Sequence, residues 1–226
     1  MAERAIVPYM ADEIKAVLFD FGGVIAEEGF REGLTAIGKR NSLDPERFFS
    51  EVDRLIYDTG YLTGVTDEAT FWDTVRKKTG ITGSDKALRE EILARFALRP
   101  VMLAHADRLR AAGLKVAMLS DQTNWLEEID RKTLLFGHFD IVFNSFRLHE
   151  SKRDRSIFRN VCRVLGVRTD EALFVDDNIG HIKRAESEGL RTLHFTTINE
   201  FEKRIVIFLA PGGEEIKSKH GSPAIK

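Results

Sequence analysis

Several side chains capable of chemistry stand at the ends of apolar runs. Asp20 follows Ala16-Val17-Leu18-Phe19 and precedes Phe21-Gly22-Gly23. Ser120 and Asp121 follow the run Leu114 to Leu119, and Asp176 with Asp177 follows Glu171 to Val175. A strand buried on both faces has no use for such groups, but in an open parallel sheet ligands bind outside the carboxyl ends of the strands. If the three runs are neighbouring strands, four carboxylates and a hydroxyl crowd one crevice. Like charges a few Å apart raise each other's pKa, so this arrangement is unstable alone. A hard divalent cation resolves the conflict, and magnesium suits best, because it takes one or two carboxylates, several waters and a substrate phosphate. A lysine is expected beside it, and Lys152 lies just after Ile141-Val142-Phe143. Each residue has a plainer reading when taken singly. Asp20 could be a turn carboxylate before Gly-Gly, Asp176-Asp177-Asn178 a helix cap, Ser120 a strand-to-helix cap, and Lys152 one charge in Ser151-Lys152-Arg153-Asp154-Arg155.

The elements that must position these groups follow from periodicity. Short apolar runs bounded by glycine or aspartate suit strands of a parallel sheet. Strands are expected at Ala16–Phe19, Leu114–Leu119, Asp140–Phe143, Glu171–Val175 and Leu190–Phe195. Between them, helices are expected after Pro100 up to Gly113, over Trp125–Leu135, on the stripe Ile157, Val161, Val164 and Leu165, over Ile179–Glu188, and over Glu200–Leu209. Strands alternating with helices imply right-handed crossovers and an α/β, doubly wound parallel sheet. From Phe30 to Phe96 the pattern is helical throughout, with starts at Asp44-Pro45-Glu46 and Thr66-Asp67-Glu68. Tyr57, Tyr61, Phe71 and Trp72 read as core of this helical insertion.

The chain has 226 residues and a formal net charge of -2. That balance excludes the dense basic face of a nucleic-acid or membrane-surface binder. The single cysteine, Cys162, excludes an internal disulfide and a cysteine-rich zinc site. No run approaches a membrane span, and residues 1–11 do not read as a secretory signal, so a cytoplasmic location is expected.

Ala16-Val17-Leu18-Phe19-Asp20-Phe21-Gly22-Gly23-Val24-Ile25 resembles the first motif of the haloacid dehalogenase-like (HAD) hydrolases. Met118-Leu119-Ser120 is similar to the second, Lys152 stands where the third places its lysine, and Leu173-Phe174-Val175-Asp176-Asp177-Asn178 is similar to the fourth. The forms lean toward the branch with sugar-phosphate phosphatases and the N-terminal phosphatase domain of soluble epoxide hydrolase. The resemblance implies a core over 12–25 and 99–210 and a helical cap over 26–98, and the polar stretch 211–226, with Gly212-Gly213, reads as a mobile tail. It implies a magnesium-dependent phosphatase acting on a small phosphorylated metabolite such as a sugar phosphate. Asp20 would be the nucleophile, forming an aspartyl-phosphate. Asp20, the Gly22 carbonyl, Asp176 and Asp177 would hold the metal. Ser120, Asp121 and Lys152 would meet the substrate, and Lys152 would neutralise charge at the transferring group.

Four positions depart from the family pattern. Gly22 replaces the usual second aspartate, whose general acid–base work is worth about 10²–10⁴-fold. Another donor must then protonate the leaving group. Asp121 replaces a common asparagine, and a carboxylate there repels phosphate unless it is protonated, turned away or metal-bound. Arg153 replaces proline, and His181 stands at a commonly acidic position. Two alternatives remain: a catalytically weak binding or regulatory module, and a metal-free hydrolase of the 2-haloacid type, which the Asp176-Asp177 pair disfavours.

Overall fold

Alternate residues of the central strand point into two separate apolar layers. In β1 (Ala16–Phe19), Val17 and Phe19 join one core cluster, while Ala16 and Leu18 join another on the opposite face. The structure, a computed structural model, describes residues 13–209. The expected tail at 211–226 and the N-terminal segment read above therefore lie outside the described residues. The other strands are β2 (Lys115–Ser120), β3 (Ile141–Asn144), β4 (Ala172–Asp176) and β5 (Arg191–His194). They form one parallel sheet in the order β3-β2-β1-β4-β5. Phe19 pairs with Met118 on one side and Val175 on the other. The strands carrying Asp20, Ser120 and Asp176 are thus neighbours, and their polar ends emerge at one edge.

Ten helices flank or extend this sheet among the described residues: α1 (Gly29–Arg40), α2 (Pro45–Asp58), α3 (Glu68–Thr79), α4 (Asp85–Leu93), α5 (Pro100–Ala111), α6 (Trp125–Thr133), α7 (Ser145–Leu148), α8 (Ser156–Leu165), α9 (Ile179–Ser187) and α10 (Ile198–Leu209). The α5, α6 and α10 stripes (Met102 and Ala106, Trp125 and Ile129, Phe201 and Ile205) cover one face. The stripes of α8 and α9, including Phe158, Val161 and Ile182, cover the other. Cys162 is buried in that second layer, and burial pushes its thiol up to about 12, so it serves as packing. No helix among the described residues is long and apolar enough to cross a membrane.

The insertion holds α1 to α4, and its ends close on each other through an antiparallel bridge between Ala26 and Leu98. Asp44 caps α2 by accepting from the Arg47 amide, and Asp67 caps α3 by accepting from Thr70. An aromatic cluster joins insertion to sheet domain: Trp72 stacks on Trp125 at 6.0 Å, and Tyr61 meets Trp125 at 5.8 Å and Phe146 at 6.1 Å. The Tyr61 hydroxyl donates to Asn124 Oδ1 at 2.7 Å.

Most boundaries differ from expectation by a residue or two: the strands expected at Leu114–Leu119 and Glu171–Val175, for example, run Lys115–Ser120 and Ala172–Asp176. The helix expected over Trp125–Leu135 stops at Thr133, because Leu134 adopts φ 56° and a tighter turn follows over Leu135–His138. The kink buries Leu135 fully and leaves Leu134 exposed. The expected strand Asp140–Phe143 likewise runs Ile141–Asn144, and Asp140 leads into it with its amide donating to the Val116 carbonyl and its carboxylate accepting from the Val116 amide, both at 2.8 Å.

Candidate active site

The turn after β1 brings the first acid to the sheet edge. The Asp20 amide donates to the Val175 carbonyl at 2.9 Å, extending the ladder one residue past the strand. Asp20 Oδ1 accepts from the Phe21 amide at 2.7 Å and from Lys152 Nζ at 2.7 Å. Gly23 has φ +79°, and a Cβ there would overlap the Asp177 carboxylate. Glycine is therefore needed twice at this position, for its backbone conformation and for the close approach of Asp177.

Lys152 is 1% exposed and bridges Asp20 Oδ1 to Asp176 Oδ2, the latter at 2.8 Å. Its backbone is held from both sides: its amide donates to Asp121 Oδ1 at 2.8 Å, and its carbonyl accepts from Arg184 Nε at 2.7 Å. Asp176 also accepts from the Asn178 amide at 2.7 Å and lies 3.1 Å from His181 Nδ1. Asn178 caps α9 by accepting from Gly180, so the plainer capping role is real and coexists with the site. Burial disfavours charge on Lys152, but Asp176 and Asp20 outweigh it and hold the ammonium protonated. Burial likewise pushes Asp176 up, yet Lys152 and His181 outweigh it and keep this carboxylate ionised. Asp20 goes the other way: burial raises it well above the usual carboxylate range, and Asp176 and Asp177 add to the rise against the pull of Lys152. Asp177 is raised by burial and by Asp176.

Asp20, Asp176 and Asp177 offer oxygens within 4.8 Å of one another. Fully ionised, the three carboxylates would exceed the one ammonium by two negative charges, and the raised Asp20 and Asp177 register that conflict. A divalent cation with hard oxygen ligands matches both the charge and the donor type. The residues present therefore fit magnesium.

Asp121 takes the turned-away course. Its Oδ1 accepts from Lys152 and from Ser145 Oγ at 2.7 Å, and its Oδ2 accepts from the Tyr57 hydroxyl at 3.1 Å. A carboxylate given three donors positions the Lys152 loop and ties α2 to the sheet domain. Arg153, in place of proline, lies 3.2 Å above the Tyr57 ring and pairs with Asp53 at 3.4 Å. These contacts line the rim of a cleft of about 520 Å³. Asp20, Gly22, Ser120, Asp121, Lys152 and Asp177 all line it, and Asp176 sits behind them, fully buried.

Tyr61, Phe71 and Trp72 are core, as expected, but Tyr57 is not: it lines the cleft, because its phenol reaches a carboxylate 64 residues away. Glu28, Gln122, Arg31 and Arg184 also line the cleft and were not singled out by sequence reasoning. Glu28 is raised above its usual range by burial, with Asp177 adding. Its one sequence signal is a second acid, after Glu27, at the close of an apolar run.

The family model described as haloacid dehalogenase-like hydrolase matches residues 14–189. Among curated proteins, the chain is 28% identical to drimenol cyclase drtB of Aspergillus calidoustus over 166 residues, 69% of this chain and 30% of that protein. It is 25% identical to bifunctional epoxide hydrolase 2 of Sus scrofa over 216 residues, 84% of this chain and 38% of that protein. The chain thus spans about a third of the length of these relatives. Among solved structures, the HAD family enzyme bt-2542 of Bacteroides thetaiotaomicron is 23% identical, with TM-score 0.68, over 82% of this chain and 95% of that one. Its complex with magnesium and inorganic phosphate superposes with TM-score 0.65, at 23% identity, over 81% and 94%. These structures share the fold, a parallel sheet flanked by helices.

Proposed function

Because this chain belongs to the haloacid dehalogenase-like hydrolases, we propose that it is a magnesium-dependent phosphomonoester hydrolase working through an aspartyl-phosphate on a small phosphorylated substrate. In this reading residues 26–98 cap a catalytic core of 12–25 and 99–210. The observation that carries it is the buried Asp20–Lys152–Asp176 bridge beside Asp177, three clustered carboxylates against one ammonium. The magnesium-and-phosphate complex of bt-2542 supports the same reading.

Asp20 is the nucleophile. Its Oδ1 is engaged by Phe21 and Lys152, so Oδ2 attacks phosphorus. Covalent transfer splits one difficult displacement into two easier ones. Asp20, Asp177, Asp176 and the Gly22 carbonyl would hold magnesium, which when bound supplies positive charge against the phosphoryl oxygens. Lys152 holds Asp20 in place and offsets charge that spreads over the equatorial oxygens. Ser120, buried at the end of β2, donates to one of those oxygens. Asp121 faces its own donors, so its part is to fix the lysine and the Tyr57 wall of the cleft.

The test is phosphate release from a panel of phosphorylated metabolites with and without magnesium, beside Asp20→Asn. Magnesium-dependent release that vanishes in Asp20→Asn is the expected result. Activity surviving in that variant would defeat the nucleophile assignment, and no release from any substrate would favour a binding module.

A further inference from the structure

We propose that Glu28 supplies the proton-transferring carboxyl group that position 22 lacks. This rests on the phosphatase reading above and names the acid–base residue for that reaction. Gly22 is not in a left-handed conformation, so its backbone does not demand glycine. What its missing side chain provides is room. A Cβ on Gly22 would lie 3.2 Å from Glu28 Oε2 and 3.9 Å from Glu28 Cδ. The Glu28 carboxyl thus occupies the volume into which a side chain at position 22 would project. It lines the same cleft as Asp20, Ser120 and Lys152.

The backbone on both sides of Glu28 is pinned. Glu27 donates its amide to the Ala97 carbonyl at 2.9 Å, and its carboxylate accepts from Arg99 Nε at 3.0 Å and Nη2 at 2.8 Å. Gly29 packs against Phe96 so closely that a Cβ would come within 2.6 Å of the ring. Glu28 Oε1 accepts from the Arg31 amide at 3.3 Å as the cap of α1, which directs Oε2 toward Gly22. A cap role alone would be met by a shorter side chain, since Ser, Thr, Asp and Asn are the preferred caps. Glutamate reaches one bond further, to the gap above Gly22.

As Asp20 Oδ2 forms its bond to phosphorus, the bond from phosphorus to the ester oxygen breaks. Glu28 gives its proton to that oxygen, so the product leaves as an alcohol and Glu28 remains as carboxylate. In the second half, water attacks phosphorus and gives one proton to Glu28. The bond from phosphorus to Asp20 breaks, releasing inorganic phosphate and restoring both carboxyl groups.

The experiment compares the wild type, Glu28→Gln, and the double variant Glu28→Ala with Gly22→Asp, on p-nitrophenyl phosphate and on butyl phosphate. The nitrophenolate departs without a proton, whereas butanol needs one. Glutamine keeps an oxygen for the Arg31 amide, so the cap survives, and a thermal melt checks it. Glu28→Gln is expected to lose about 10²–10⁴-fold in kcat on butyl phosphate and less than about tenfold on p-nitrophenyl phosphate. The double variant, with its carboxyl rebuilt from position 22 in the vacated space, is expected to recover the butyl ester. Equal loss on both esters, no loss on either, or a folded double variant active only on the nitrophenyl ester would overturn the assignment while leaving the phosphatase reading intact. Where the wild type takes neither ester, the same comparison runs on the alkyl phosphate best released from the metabolite panel, and release from none of them would refute the reading and this assignment together.

Discussion

Gly23→Ala isolates the claim that the glycine turn exists to admit Asp177. The backbone at position 23 has φ +79°, which costs a residue with a Cβ about 1–2 kcal/mol. For a chain of this size each kcal/mol lowers Tm by about 2–4 °C, so metal-free protein should melt about 2–8 °C lower. The second effect is larger and more specific. The new methyl overlaps the Asp177 carboxylate, which must turn out of the three-acid cluster. In the wild type, magnesium at about one hundred times its Kd should stabilise by about 2.7 kcal/mol. At that same concentration, the variant should show almost none of this shift. Differential scanning calorimetry across a magnesium titration reads both quantities. A variant that melts lower but keeps the full magnesium shift would refute the link between the turn and the metal. One that melts with the wild type without metal would refute the cost assigned to the left-handed backbone at position 23.

Lys152→Met should remove most activity while the chain still folds. Taking one partner from a buried ion pair costs about 3–5 kcal/mol, and the charge left on Asp20 and Asp176 is the reason. A kcat loss below about tenfold, measured on the best substrate found, would show that the ammonium only fills space. A pH prediction follows from Asp20 and Asp177, both raised above the usual carboxylate range. The folded, metal-free protein then binds more protons than the unfolded chain between the ordinary and the raised values, so its stability falls as pH rises through that window. Asp176, held ionised by Lys152, adds nothing there. Magnesium competes with those same protons, so its affinity should strengthen with rising pH, with proton release visible by calorimetry in buffers of different ionisation enthalpy. Affinity independent of pH would contradict the assignment of these carboxylates as ligands.

The sheet and the convergence of Asp20, Ser120, Lys152, Asp176 and Asp177 were legible because each lies at or just beyond the end of an apolar run, and parallel strands deliver such ends to one edge. Tyr57 was not legible as a cleft residue. It continues the apolar stripe of Val52, Leu55 and Ile56 on α2, and only the fold reveals Asp121 across from its hydroxyl. Glu28 was hidden for a related reason: beside Glu27 it resembles a solvated pair, and its approach to Gly22 depends on the chain returning past Ala97 to pin Glu27. Asp121 read as a liability beside phosphate. Its three donors come from Tyr57, Ser145 and the backbone of Lys152, none of which its neighbours in sequence disclose.

The rings that meet around Trp125 and Tyr61 decide how the cleft can admit and release molecules. Four ring pairs cross from the insertion to the sheet domain there: Tyr61, Phe71 and Trp72 each with Trp125, and Tyr61 with Phe146. At about 0.5–1.5 kcal/mol for each pair, swinging the insertion away as a rigid body would forfeit about 2–6 kcal/mol before any other contact is counted. At the cleft the contacts are polar: the Tyr57 hydroxyl donates to Asp121, and Arg153 lies over the Tyr57 ring and forms a half-exposed pair with Asp53, of a kind that holds with about 0–1 kcal/mol. The insertion is therefore held by rings along one flank and by polar contacts along the other. Rearranging the half-exposed Arg153 side chain at the cleft therefore costs less than a rigid-body swing of the insertion against its rings.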